Sequence, residues 1–484
     1  MGEWKSYPIT IGGGIDGTAC IIHGQMRDEF ADSGHYERPD DLQKINEELS
    51  IDALRYAFPW EKIAPNGIEN ADWSWPDKQV PKLKSLFKTP IFGMCHHGSG
   101  PEYARIDQPN FPEEFATYAQ VFAERYFQPE TPDGEHQEVY VLPVNEPLTT
   151  ARLTCLYAKW EPHKTDDRSY ITALLNQCKA TVLAMQEIRK VNKNAKLVTT
   201  EDFGSVSCPE DAPEELKAQA AFDNDRRWWS NDLLMGIFNE NHTLWKYAEE
   251  VGFSQEELQE YQAFFLHSDV RPDIIGVDYY VTSDRWLDHR LQFFPGKLHG
   301  GNGRVNYVDT EAARVSHGIR GIEHVLEAVW NRYHVPLWVT ESHLGCKDVS
   351  EQMKWFDQSL KGAEHAAENG VDISMVIAWA LNGLNGWDKL KEETPGKHEP
   401  GAYTTVPEHT LTRYGEFIAA RAKGEEGYFP ELQEYDGLGW WEREDGILYR
   451  PESEEEQRLP LPAAGYYWEF SEKLSVPFTQ SPMM

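Results

Sequence analysis

The sequence predicts an α/β fold, a (β/α)8 TIM barrel with an insertion between strands five and six and a C-terminal extension. Three observations predict it. Short apolar runs bounded by turn residues recur eight times, helical patterns lie between most of them, and no dinucleotide-type glycine loop opens the series. A doubly wound open sheet is the competing architecture. It calls for G-x-G-x-x-G after the first strand, and "TIGGGIDG" does not supply that frame.

The strand runs lie at 7–14, 51–58, 89–96, 138–145, 195–202, 273–280, 336–342 and 374–381. In the first, Gly12, Gly13 and Gly14 suit a tight loop or a close backbone approach. The fourth, "EVYVLPVN", leads into Asn145, Glu146 and Pro147, and proline cannot continue a central ladder. "EEFATYAQVFAERYF" reads as a helix between strands three and four. After strand four, Ile171, Leu174, Leu175, Cys178, Val182 and Met185 keep helical spacing and form one apolar stripe. "EAARVSHGIRGIEHVLEAVWNRY" and "EQMKWFDQSLKGAEHAAENG" read as the helices before strands seven and eight. Residues 203–272 are long for one connection and should hold extra helices. The barrel is assigned to 1–425. Residues 426–484, acidic and rich in Trp and Tyr, are expected to pack on it through Trp440 and Trp441, being short for an independent core.

Hydrophobic residues at 40% and aromatics at 12% describe a folded chain. A net charge of −34 argues against nucleic acid or an anionic membrane as partner. Six scattered cysteines without a C-x-x-C pair argue against a disulfide framework or structural zinc. "MGEWKSYPIT" has no signal-peptide apolar core and no run reaches transmembrane length, so a cytoplasmic location is expected.

Active sites of such barrels lie at the C-terminal ends of the strands. Glu146 ends strand four and Glu341, in "LWVTESHLG", ends strand seven, so closure brings both to one mouth. Two carboxylates across a pocket are what cleavage of a glycosidic bond requires. Arg55 on strand two can hold a carboxylate ionised. His96 and His97 end strand three, Tyr279 and Tyr280 end strand six, and Trp379 lies in strand eight. Hydroxyl-binding groups over a flat aromatic suit a sugar. A metal hydrolase is disfavoured, because strand one has no H-x-H and no H-E-x-x-H occurs; no metal and no cofactor are expected.

"NEP" after strand four, "TE" ending strand seven, "RYAFPWEKIAP" on strand two and "DIIGVDYY" on strand six resemble glycoside hydrolase family 1 and its clan of retaining barrel enzymes. "LRYAFPWEKIAP", "CHHGSGP", "NEPLTTAR" and "VTESHLGC" resemble a divergent bacterial branch, some members of which are fused to a dTDP-4-dehydrorhamnose reductase domain. No reductase-like strand, glycine loop and helix follow here. The resemblance implies Glu146 as general acid/base, Asn145 on the sugar 2-hydroxyl and Glu341 as nucleophile with Arg55 and Tyr280 beside it. It further implies His96 on a sugar hydroxyl and Trp379 under the ring. Departures from the family pattern are equally specific. "TENG" becomes "TESH", placing His343 near the nucleophile, "HW" becomes "HH", and the Asn of "NYY" becomes Asp278. The strand-eight "DNFEW" becomes "NGLNGWD", with Gly386 in place of the glutamate that grips sugar hydroxyls, followed by Trp387. His343 and Trp387 join the candidate sugar-binding set.

The expectation is a retaining β-glycosidase, β-glucosidase-like, hydrolysing a small glycoside or oligosaccharide. The alternatives are a non-catalytic sugar-binding barrel or a transglycosylase using the same carboxylates. The partner is a carbohydrate substrate.

Overall fold

The computed structural model describes residues 9–425 except 130–135, 295, 316–317, 393–395 and 405, and beyond these only 427, 429, 432, 441–442 and 448–449. The start of the first predicted strand, the C-terminal extension as a unit, Trp440 and the side chain of Trp441 lie outside the described residues.

All eight expected strands form and close into one parallel barrel. They are β1 (Thr10–Gly14), β2 (Ala53–Ala57), β3 (Thr89–Cys95), β4 (Val139–Val144), β5 (Ala195–Asp202), β6 (Ile274–Tyr280), β7 (Leu337–His343) and β8 (Ile373–Ala378). They follow the chain around the ring, and β8 closes on β1 through Thr10 opposite Met375 and Gly13 opposite Ala378. Strands buried on both faces read as continuous apolar runs, which is why each was visible in the sequence. Their inward side chains fill the lower barrel with one packed layer. Ala53, Ile91, Leu142, Val198, Ile274, Trp338, Met375 and Ile377 supply it, from every strand but β1.

The β1 glycines explain the missing contribution. A Cβ on Gly12 would stand 3.2 Å from the Ala53 Cβ, and one on Gly14 would stand 2.3 Å from the Trp379 ring. Strand β1 is therefore a backbone wall against which larger neighbours close, and Gly14 makes room for Trp379 at the mouth.

Outer helices cover the strands. Helix α1 (Asp41–Leu49) follows β1, α2 (Pro76–Leu86) follows β2 and α3 (Phe111–Tyr126) follows β3. Helix α4 (Asp167–Val191) is started by Asp166, whose carboxylate accepts from the Ser169 amide at 2.8 Å. All six residues of its predicted stripe are buried. The insertion carries helices Glu214–Arg226, Trp229–Leu234, Thr243–Glu250 and Gln255–His267, as expected. Helices Gly321–Tyr333, Val349–Glu368 and Arg413–Ala422 complete the ring. No helix among the described residues is long and apolar enough to cross a membrane.

The β6–β7 connection departs from the reading. Residues 311–333 do not form one helix: Glu311 ends a strand, Ala312–Val315 is a single turn, and the helix resumes at Gly321. Gly318 and Gly321 adopt φ of +77° and +80°, left-handed backbone that interrupts an α-helix. Ahead of this break, Arg285–Asp288, His299–Gly301 and Asn306–Glu311 pair with Val206–Ser207 of the insertion in a small four-stranded sheet that was not anticipated.

Gly14→Ala is expected to displace the Trp379 ring and to destabilise the protein by about 1–3 kcal/mol, the usual range for overpacking. Denaturant unfolding monitored by tryptophan fluorescence checks this, and unchanged stability would contradict the contact.

Candidate active site

Two local irregularities shape the mouth of the barrel. Strand β4 contains Pro143, which has no N–H, and its pairing with β5 stops at Val141 opposite Leu197. Side chains bridge the gap above that point. The buried Glu201 carboxylate, at the end of β5, accepts from the Leu148 amide at 2.9 Å, the Thr149 amide at 3.4 Å and the Ser230 hydroxyl at 2.9 Å. It thereby ties the start of helix Pro147–Ala151 to β5. Burial pushes the Glu201 carboxyl up to about 7 against those donors. The second irregularity is a bulge in β7: Val339 pairs with Val277 and Glu341 with Asp278, leaving Thr340 extra. Bulges beside active sites re-aim side chains, and this one sets Glu341 directly opposite Asp278.

Glu341 is 2% exposed and held by two donors. Arg55 Nη1 reaches its Oε1 at 2.5 Å, and the Tyr280 hydroxyl donates to Oε2. The same guanidinium donates through Nη1 to the Thr340 carbonyl at 3.3 Å and through Nη2 to Asn145 Oδ1, and stands 3.9 Å from Asp278. Burial and Asp278 push the Glu341 carboxyl up, Arg55 and Tyr280 pull it down, and on balance it stands raised, at about 8.

Glu146 has the opposite surroundings. It sits just past β4 with φ of 39° and ψ of 67°, a left-handed conformation strained by ~1–3 kcal/mol for a residue with a Cβ. The chain is fixed on either side of it. The Asn145 amide donates to the Cys95 carbonyl at 2.9 Å, and the Thr150 amide donates to the Glu146 carbonyl at 2.9 Å. Its Oε2 lies 3.5 Å from His97 Nε2. Because Asn145 Oδ1 accepts from Arg55, its Nδ2 faces His97 Nε2, 3.0 Å away, and donates to it. Nε2 is then the bare imidazole nitrogen, and Nδ1–H donates to the Thr150 hydroxyl at 3.0 Å. Burial holds the His97 imidazole well below its ordinary range, in keeping with this neutral tautomer. A second carboxyl, that of Asp278, acts on Glu146 with its negative charge. Burial, then Asp278, then Glu341 push the Glu146 carboxyl well above its ordinary value. One carboxyl is thus supplied with donors and the other faces acceptors. The pair can present one anion and one proton donor at the same time.

An aromatic ridge runs along the mouth. His96 stacks on Trp379 with ring centroids 5.4 Å apart and planes 7° from parallel, and the Arg55 guanidinium lies over the same indole at 4.7 Å. The half-buried Trp387 packs edge-on to His97 at 5.4 Å and to Trp160 at 6.0 Å. The structure gathers Arg55, His96, Asn145, Glu146, Tyr280, Glu341 and Trp379 into one constellation, with Trp387 at its rim. His343 stands behind it. Its Nδ1 pairs with the Trp379 carbonyl at 2.9 Å and its Nε2 with Glu399 Oε2 at 3.3 Å, so both ring nitrogens are engaged by protein. Asp16 was not singled out, yet its Oδ1 lies 3.7 Å from His96 Nε2 at the end of β1. Glu201 was also missed. The strand-end carboxylate signal that marked Glu146 is present in "TTED" as well.

Residues 19–391 match the model of glycosyl hydrolase family 1. An aryl-phospho-β-D-glucosidase of Bacillus subtilis is 20% identical over 73% of this chain and 78% of its own length. A β-glucosidase A of Thermotoga maritima is 22% identical over 79% of this chain and 83% of its own. A solved family 1 β-glucosidase from Thermotoga maritima, in complex with isofagomine lactam, superposes with a TM-score of 0.66 at 17% identity, over 86% of this chain and 98% of that one. The chain is a glycoside hydrolase, and it belongs to glycosyl hydrolase family 1.

Proposed function

We propose that the protein is a retaining β-glycosidase in which Glu341 is the nucleophile and Glu146 the acid and base. The observation that carries this reading is the unequal supply of donors: Arg55 and Tyr280 donate to Glu341, while the bare His97 nitrogen faces Glu146 at 3.5 Å. In the first step a Glu341 oxygen bonds to the anomeric carbon as the glycosidic C–O bond breaks, and Glu146 gives its proton to the departing oxygen. In the second, Glu146 takes a proton from water, the water oxygen bonds to the anomeric carbon, and the Glu341 ester is released. Asn145, fixed by Arg55 and His97, presents its amide toward the sugar. Trp379 and His96 form an apolar, hydrogen-bonding wall. A binding-only barrel gains nothing from a buried carboxyl gripped by a guanidinium and a tyrosine hydroxyl, which favours turnover.

The relatives are named for β-glucosides and for phosphorylated β-glucosides, and the local charge bears on that choice. Lys391, buried in the strand-eight loop, is committed to Glu29 and to Asp32 at 3.0 Å, and Asp16 adds negative charge nearby. With its cation paired and a further carboxylate beside His96, the sugar end of the site disfavours a phosphate dianion. The reading is therefore an unphosphorylated, β-glucoside-like substrate.

Glu341→Gly is expected to abolish turnover of aryl β-glycosides, with azide restoring it and giving the inverted glycosyl azide. Turnover surviving in this variant would remove Glu341 from the role. Glu146→Gln is expected to lower kcat by about 10²–10⁴ on glycosides with poor leaving groups and much less on activated aryl glycosides. Steady-state rates across leaving groups decide this. Finally, kcat/KM for an aryl β-glucoside should exceed that for its 6-phosphate, and the reverse preference would contradict the charge argument.

A further inference from the structure

The geometry points to Asp16 as a specificity residue: with His96 it clasps a single hydroxyl of the sugar, which donates to the carboxylate and accepts from the imidazole. This rests on the β-glycosidase reading of the same site and deepens it.

Asp16 lies two residues beyond β1, in a segment pinned to both neighbouring walls of the mouth. The Ile15 amide donates to the Arg55 carbonyl of β2 at 3.2 Å, and the Ala19 amide donates to the His96 carbonyl, just past β3, at 3.4 Å. Between these anchors Asp16 Oδ1 accepts from the Thr18 amide at 2.7 Å, which closes a turn and fixes the carboxylate. His96 is held as firmly. Its ring lies parallel to the Trp379 indole, so its nitrogens point alongside that face and not into it.

The two groups stand 3.7 Å apart, Oδ1 to Nε2, beyond hydrogen-bond length. Apart from the Thr18 amide, no group among the described residues donates to the Asp16 carboxylate, and neither ring nitrogen of His96 is hydrogen-bonded. Both side chains are nonetheless buried, at 3% and 4% exposure. Lys391, which feels the Asp16 charge, is held by Glu29 and Asp32. Buried polar groups short of partners are costly, and a ligand that completes both recovers that cost.

The gap has the size of one oxygen. An atom about 2.8 Å from each group, the ordinary hydrogen-bond length, fits between them. Burial and Arg55 keep the imidazole neutral, so it brings one N–H and no charge, and a facing carboxylate selects the Nε2–H tautomer. The inserted oxygen must therefore donate to Asp16 and accept from Nε2–H. A hydroxyl does both. An anionic oxygen has no proton for Asp16 and meets its charge, and a C–H leaves both groups unpaired.

The test is a deoxy scan by calorimetry. A glucose-configured iminosugar and its monodeoxy derivatives at positions 3, 4 and 6 are titrated into the wild type, Asp16→Asn and His96→Phe. Asparagine keeps an acceptor for the Thr18 amide, and phenylalanine keeps a ring on Trp379. The wild type should bind the parent about 10- to 100-fold more tightly than one of the derivatives, and each variant should lose a similar factor on the parent. On that one derivative both variants should match the wild type within about twofold, because the clasped group is already gone. Equal losses on every member would make Asp16 a structural residue and overturn the proposal. Unchanged binding in Asp16→Asn, or no binding of any member to the wild type, would overturn it as well. Turnover of an aryl β-glucoside, measured alongside, separates the two readings. The selective pattern without turnover upholds the clasp and sinks the glucoside-hydrolysis reading, and turnover without the pattern does the reverse.

Discussion

The guanidinium of Arg55 is the point on which the site depends. It rises from the middle of β2 and reaches β7 through Glu341 and the Thr340 carbonyl, the end of β4 through Asn145, and β6 at the distance of Asp278. A buried cation survives only when paired and hydrogen-bonded, and a buried carboxylate likewise. One arginine among three buried carboxyl groups meets that condition only in part. Two of the carboxyls lie within its reach, and the third, Glu146, is pushed well above its ordinary range by burial and by the charge of Asp278. The division between the surroundings of Glu341 and those of Glu146 thus follows from a shortage of positive charge and not from any difference in side-chain type.

Backbone geometry enforces that division. Pro143 ends the β4–β5 ladder and lets the chain turn at Glu146, where Glu201 takes over the anchoring that main-chain pairing has abandoned. The β7 bulge performs the matching task on the opposite wall by turning Glu341 toward Asp278. Both devices spend local regularity on aim, and the strained φ of Glu146 is the clearest sign of it. The glycines of β1 serve the same end more quietly, since Trp379 can stand at the mouth only because Gly14 has no Cβ.

Much of this was legible in the sequence. Strands buried on both faces write themselves as apolar runs, and a strand-end glutamate before proline is conspicuous. What was illegible depended on pairing between distant segments. Strands as short as Val206–Ser207 and His299–Gly301 carry no periodicity and exist because they find each other. A bulge leaves no local mark, so the register of Glu341 with Asp278 had to be seen. His343 follows Glu341 in sequence, which suggests a place among sugar-binding residues. Its place at the end of β7 turns it instead to the Trp379 carbonyl and Glu399. Glu201 carried the same strand-end signature as Glu146 but lacked the flanking asparagine and proline.

The most direct measurement of the central claim is covalent trapping. The wild type is incubated with a 2-deoxy-2-fluoro-β-glucoside bearing a good leaving group, and the labelled peptide is located by mass spectrometry. A single fluoroglycosyl ester on Glu341 is the expected result. Label on another carboxylate, or hydrolysis with inversion at the anomeric carbon and no trapped ester, would contradict it.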